Sequence, residues 1–170
     1  MNLNCTFYFS IAVMAIADLD YRFTYVDIGS YGKDCDSSVF QETSVFEQLI
    51  RSKLHIQPSG PLFLNTENFP FVFVGDEAFS LSENLILPYA GHNLSEKQKI
   101  FNYRLCWARR YVECAFGILS DKWRILHTAL NVSIEFSKDI VKACVLLHNL
   151  VRSKDGCRAE EIYMRQNWKC

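Results

Sequence analysis

The side chains best placed to do chemistry in this chain are two carboxylates, Asp76 and Glu113. Asp76 follows the apolar run FVFV at residues 71–74 and is separated from it only by Gly75. An acid at the end of a buried strand carries a desolvation cost unless a cation or hydrogen-bond donors offset it. Glycine just before it leaves room for a backbone or a ligand to approach closely. The plainer reading of Asp76 is a turn or helix-cap aspartate. Glu113 falls inside a long stretch of helical periodicity, one position past the core residue Val112, on the border of the buried face. Arg109 and Arg110 precede it by four and three residues. Its plainer reading is therefore a helix-surface ion pair, contributing about 0.3–0.5 kcal/mol.

Several other chemistries are excluded. The chain contains no G-x-x-x-x-G-K-[ST], no G-x-S-x-G and no H-E-x-x-H. The four histidines, His55, His92, His127 and His148, share no ligand spacing. His148 sits in an apolar helical stretch, where it reads as a hydrogen-bonded core histidine. The formal charge of -1 hides an uneven distribution. Residues 1–90 carry 4 Lys/Arg against 11 Asp/Glu, and residues 91–170 carry 14 against 8. An acidic front and a basic back are compatible with metal-binding carboxylates facing a phosphate-binding surface. They are equally compatible with two differently solvated faces.

The 170 residues are one domain's worth, and 49% hydrophobic against 22% charged residues is an ordinary globular composition. The seven cysteines are odd in number and contain no C-x-x-C pair, so most of them read as reduced, small core residues. The segment CTFYFSIAVMAIA at residues 5–17 imitates a signal peptide, and Asn4, Asn93 and Asn131 head glycosylation sequons. No Lys or Arg precedes the apolar run, however, and it is too short to span a bilayer. A buried strand is the better reading, in a protein that is intracellular, nuclear or cytoplasmic, with no membrane partner.

The elements that must position the two acids follow from the pattern. Residues 7–17 form a continuous apolar run, as in a strand covered on both faces. Asp18-Leu19-Asp20 is a turn, and RFTYVDI at residues 22–28 alternates, placing Phe23, Tyr25 and Asp27 on one side and Thr24, Val26 and Ile28 on the other. Together they predict an antiparallel hairpin. A helix is expected from about Ser38, with Phe46, Leu49, Ile50 and Leu54 as its buried stripe, and residues 57–70 are a loop. Residues 71–74 form a short buried strand. A long helix is predicted over 96–119, capped by Ser95 with Gln98, with Phe101, Leu105, Ala108, Val112, Ala115 and Leu119 on its core face. Gly117 should weaken its last turn. Residues 123–126 read as a brief extended segment. A final helix over 134–151 should bury Ile140, Val141, Cys144, Leu147 and Val151, and a charged, loosely held tail follows from Arg152.

Four ordered blocks carry a resemblance to a known family. They are YRFTYVDIGSYGKDCDSSVF, PFVFVGDEAF, FNYRLCWARRYVECAFGILSDKWRIL and DIVKACVLLHNLV. Together, over roughly residues 7–151, they resemble the DDE nuclease domain of PIF/Harbinger transposases. The resemblance implies an α/β, RNase H-like (DDE) fold, with a partial nuclease domain at residues 1–151 and a charged tail at 152–170. The family's Gly-Asp block carries its second catalytic aspartate, which maps to Asp76. Its R-x-x-V-E-x-A-F-G block carries the catalytic glutamate, which maps to Glu113. The first aspartate belongs to a strand upstream of the apolar run, and no residue here matches it. The fold is therefore expected to be incomplete at its N-terminus. Asp18, Asp20, Asp27 and Asp36 match other family positions and are not assigned to the site.

By the same resemblance, the cofactor is a divalent cation, Mg²⁺ or Mn²⁺, held by Asp76 and Glu113, and the ancestral reaction is cleavage of a DNA phosphodiester. Such chemistry uses two ions about 3.5–4 Å apart, clamped by three carboxylates. With two carboxylates the expectation is impaired catalysis, and a dead remnant serving as a DNA- or protein-interaction module is the alternative. Arg104, Arg110, Lys122 and Arg124, on or just beyond the helix of Glu113, are the expected phosphate contacts. No helix-turn-helix is evident, so sequence readout would need another domain or a separate DNA-binding protein.

Overall fold

A computed structural model of the chain describes residues 10–31, 59–61, 67–77, 79 and 81–155. The helix expected from Ser38 lies outside these residues, as do Asp36 and the part of the tail beyond Asp155. The described residues form a mixed α/β structure of three two-stranded sheets and two long helices. The chain divides into two compact units, one of Met1–Asp34 with Arg110–Lys169 and the other of Cys35–Arg109.

In the first unit, β1 (Ile11–Ala17) and β2 (Phe23–Tyr31) form the expected antiparallel hairpin. Asp18 builds the turn. Its Oδ1 accepts the backbone N–H groups of Asp20 and Arg22, both at 2.9 Å, and its Oδ2 accepts Arg22 Nε at 2.9 Å. With both oxygens engaged in the turn, Asp18 serves as an anchor. β1 is half-buried throughout rather than covered on both faces. The simple alternation of β2 also fails at its start, because the register shifts between Ile16 and Ala17: Ile16 faces Tyr25 and Ala17 faces Phe23. Such a bulge resets the side-chain alternation. Phe23 and Val26, expected on opposite sides, therefore both pack on the core.

That core contains Tyr21, Phe23, Ala115, Leu119, Cys144 and Val145. It draws on the hairpin, on the C-terminal half of α1 (Glu96–Lys122) and on α2 (Ile134–Asp155). Tyr21 is 2% exposed with φ +59, a left-handed conformation that is costly for a bulky residue and persists only where surroundings impose it. The surroundings here are specific. Tyr21 stacks on Tyr111 at 5.6 Å, lies under the guanidinium of Arg152 at 5.3 Å, and its carbonyl accepts a 2.7 Å hydrogen bond from His148 Nε2. A carbonyl oxygen can only accept, so the imidazole carries its proton on Nε2 in this bond. Asn149 then continues the ladder with its side chain. Its Oδ1 accepts Phe23 N–H at 2.9 Å and its Nδ2 donates to Phe23 C=O at 2.8 Å. Arg152 Nε completes the clamp on the carbonyl of Asp20 at 3.0 Å. His148 is thus the hydrogen-bonded core histidine expected of it.

Four expectations change here. Residues 124–127 form a 3-10 helix rather than an extended segment. α2 runs to Asp155, and Arg152 is buried rather than loosely held, because its guanidinium is used on the hairpin turn. Leu147 is 43% exposed, on the side of α2 shared with Leu146 and Leu150, rather than in the core. α1 continues through Gly117 to Lys122, where Ser120 Oγ donates to the Gly117 carbonyl at 3.0 Å.

In the second unit, β3 (Gly60–Pro61) pairs antiparallel with β4 (Asn68–Phe69), and β5 (Phe73–Val74) pairs parallel with β6 (Leu85–Ile86). Phe71, expected within the buried strand, is 49% exposed. The N-terminus of α1 has the predicted capping box, since Ser95 N–H donates to Gln98 Oε1 at 2.9 Å and Gln98 N–H donates to Ser95 Oγ at 3.4 Å. Leu105 is buried as expected, whereas Ala108 is exposed. Asn102 ties the approaching chain to α1 through both the N–H and C=O of Tyr89, at 2.8 and 2.9 Å.

Candidate functional site

Asp76 stands where the pattern put it, two residues past β5. The pairing of β5 with β6 ends in a hydrogen bond from Gly75 N–H to Ile86 C=O at 3.0 Å, which fixes the backbone entering Asp76. The carbonyl of Asp76 then accepts Phe79 N–H at 3.2 Å, closing a turn. The room left by Gly75 is used by packing. A Cβ there would lie 3.0 Å from Leu87 Cδ2 and 3.1 Å from both Leu85 Cδ1 and Phe79 Cδ2. Glycine at this position therefore lets three apolar side chains close over the backbone that aims Asp76.

The cation at Asp76 is a guanidinium. Arg109 NH2 donates to Asp76 Oδ2 at 3.2 Å, with the two side chains 29% and 38% exposed. Sequence reasoning offered Arg109, along with Arg110, as a neighbour of Glu113 and did not find this pair. The partners are 33 residues apart in the chain, and no local spacing reports such a contact.

Glu113 lies on α1 one helical turn beyond Arg109 and is exposed, with Val112 half-buried beside it. It belongs to the unit of Arg110–Lys169, whereas Asp76 and Arg109 belong to that of Cys35–Arg109. Among the described residues, no group of three or more His, Cys, Asp or Glu side chains is arranged to hold a metal ion. Mg²⁺ demands near-octahedral oxygen ligation, and a carboxylate oxygen engaged by a guanidinium does not offer it a prepared position. The described residues therefore do not fit a preformed two-ion centre.

Of the four expected phosphate contacts, Arg104, Lys122 and Arg124 are exposed. Arg110 is only 6% exposed, so its guanidinium does not face solvent and cannot meet a phosphate in this conformation.

Two of the described cysteines, Cys114 and Cys144, form no disulfide, as expected for core thiols. Burial pushes the Cys144 thiol up from its usual range. Cys106 departs from the reduced reading, being disulfide-bonded. No helix among the described residues is long and apolar enough to cross a membrane.

Comparison with known proteins supplies what geometry alone does not. The sequence model of the DDE superfamily endonucleases matches residues 3–149. A curated relative from Arabidopsis thaliana, named "Protein ALP1-like", is 31% identical over 144 residues, which is 84% of this chain and 35% of the relative. The chain thus spans about a third of the length of that relative. No solved structure matches it.

Proposed function

The chain belongs to the DDE superfamily endonucleases, and from that membership we propose that it is a transposase-derived, nuclease-like domain of the PIF/Harbinger branch that binds DNA and cleaves it poorly. Its ancestral reaction is metal-dependent hydrolysis of a phosphodiester on an RNase H-like fold. Asp76 and Glu113 occupy the family's second and third acidic positions. They are the residues that would hold Mg²⁺ or Mn²⁺, weakly. The observation that carries the reduced activity is the Arg109 guanidinium on Asp76. The same observation favours a second reading, in which the domain serves as an interaction module on DNA or protein without cleavage.

Arg104, Lys122 and Arg124 supply the phosphate contacts. Binding through such exposed cations is indifferent to base sequence and falls steeply with salt, because each neutralised phosphate adds about 0.9 to the magnitude of the log–log salt slope. A separate DNA-binding protein would then provide target choice.

The test has two arms. Supercoiled plasmid incubated with the full chain and Mn²⁺ should show no nicking above that of Asp76→Asn. Efficient nicking abolished by Asp76→Asn would overturn the impairment. In the second arm, binding to a duplex oligonucleotide is followed across salt concentrations. Reversing Arg104, Lys122 or Arg124 singly to Glu should each reduce the salt slope by about one contact. Unchanged slopes in all three would remove DNA binding from the proposal and leave protein interaction.

A further inference from the structure

We propose that the exposed side of α2 is a self-recognition surface, on which a second copy of this chain packs antiparallel to form a two-fold dimer. The helix has two apolar sides. One of them carries the buried Cys144, Val145, His148 and Arg152. On the other, Leu146 is 70% exposed, Leu150 49% and Leu147 43%. At 3.6 residues per turn, these three leucines share an arc of about 100° with Asp139, Ala143 and Lys154, which are exposed as well. A helix that is apolar on both sides is normally covered on both, and contiguous exposed leucines rimmed by charge mark a protein-binding surface.

The order of residues along this stripe identifies the occupant. From Asp139 through Ala143, Leu146, Leu147 and Leu150 to Lys154 the steps are four, three, one, three and four residues, the same read from either end. In a two-fold interface, a residue that meets a given position of the partner is met by that same position in return. Two antiparallel copies centred between Leu146 and Leu147 therefore face each other in matched pairs. Leu146 meets the partner's Leu147, Ala143 meets the partner's Leu150, and Asp139 meets the partner's Lys154, each pair occurring twice. Small against large at the second pair lets the helix axes approach to about 8–10 Å. Opposite charges at the third pair close both ends. A parallel alignment would instead set Asp139 on Asp139 and Lys154 on Lys154, and like charges in register repel. Within its own helix Asp139 lies 3.3 Å from Lys142 in an exposed pair, which costs little to share or loosen. The stripe is about 24 Å long at 1.5 Å per residue, less than a standard interface needs, so the dimer is reversible, with Kd on the order of 10 µM. It requires neither DNA nor metal.

Sedimentation equilibrium of the full chain, from about 1 to 200 µM, tests this. The mass of the wild type should rise from that of one chain towards twice that value. Leu146→Glu brings two carboxylates to the two-fold axis and should raise Kd at least about thirtyfold. Its circular dichroism should match the wild type, because the side chain it replaces is 70% exposed. Asp139→Lys and Lys154→Asp should each raise Kd about three- to tenfold, and the double variant should return close to wild type. That rescue is expected of antiparallel copies and of no parallel pairing. A chain that stays monomeric throughout overturns the proposal. A dimer indifferent to Leu146→Glu overturns it as well, since another surface would then hold the copies together. A dimer lost in Leu146→Glu but not rescued by the double charge swap overturns the antiparallel register. Should Leu146→Glu not fold, the charge swap decides alone, because it leaves every apolar residue in place: rescue supports the dimer and its absence overturns it.

Discussion

Glu113 stands on a part of α1 whose opposite face is locked into a core of Tyr21, Phe23, Ala115, Leu119, Cys144 and Val145, whereas Asp76 stands just past a two-residue strand and faces a guanidinium. The first unit is cross-braced by polar side chains as well. His148, Asn149 and Arg152 each bond a backbone group of the hairpin. In the second unit, Leu85 and Leu105 are the buried hydrophobic side chains among the described residues, and the sheets are pairs of two-residue strands. Among the described residues, buried apolar packing thus concentrates around the glutamate's helix, whereas the aspartate is held by backbone hydrogen bonds and by its pair with Arg109. Local opening is drawn from regions with few buried apolar contacts.

The comparison breaks most easily at Phe23. It is 5% exposed between Phe116 and His148, with ring centroids 5.1 Å away on either side. Phe23→Ala should cost about 3–5 kcal/mol in urea unfolding. A loss under 1 kcal/mol would mean that the first unit is not the stable part of the chain. Asn149→Ala comes next. It strands both the N–H and the C=O of Phe23, and should cost about 2–3 kcal/mol. Asn149→Asp, which keeps the acceptor but loses the donor, should fall in between.

Gly75→Ala probes the other unit. The added Cβ would press on Leu87, Leu85 and Phe79, and overpacking of this kind costs about 1–3 kcal/mol. Hydrogen exchange should show the loss confined to amides around β5 and β6, with those of β1 and β2 unchanged. Equal loss of protection in both regions would show that the two units unfold as one. The smallest effect concerns thiol chemistry. Cys144 is buried, with its thiol pushed up by that burial, so at neutral pH it holds even less thiolate than an ordinary cysteine. Alkylation followed by mass spectrometry should modify Cys114 first, and Cys144 at a rate that tracks global unfolding. Rapid labelling of Cys144 in the native protein would contradict the closed core.

Much of this architecture was legible in residue order. The capping pair Ser95 and Gln98, the three-and-four spacing through Leu105, Ala115 and Leu119, and the polar turn between two apolar runs are local signals, and each produced its element. The family blocks marked Asp76 and Glu113, and short-range chemistry placed one after a strand and the other in a helix. Other features depend on residues far apart in the chain. The bulge that turns Phe23 and Val26 to the same side is a property of two strands in register, and alternation within β2 alone predicts the opposite. Arg152 looked like the start of a loose tail because the carbonyl it holds, that of Asp20, lies 132 residues away. Arg110 and Arg104 are equivalent cations by sequence, and only the rotation of α1 against its neighbours buries one and exposes the other. Arg109 had a local candidate partner in Glu113, and the pairing with Asp76 appears only once β5 and α1 are brought together. Periodicity and caps act within a turn or two of chain, and so the sequence alone determined the elements and the positions of the two acids along them. Which charges meet depends on how those elements pack, and that was decided only by the tertiary structure.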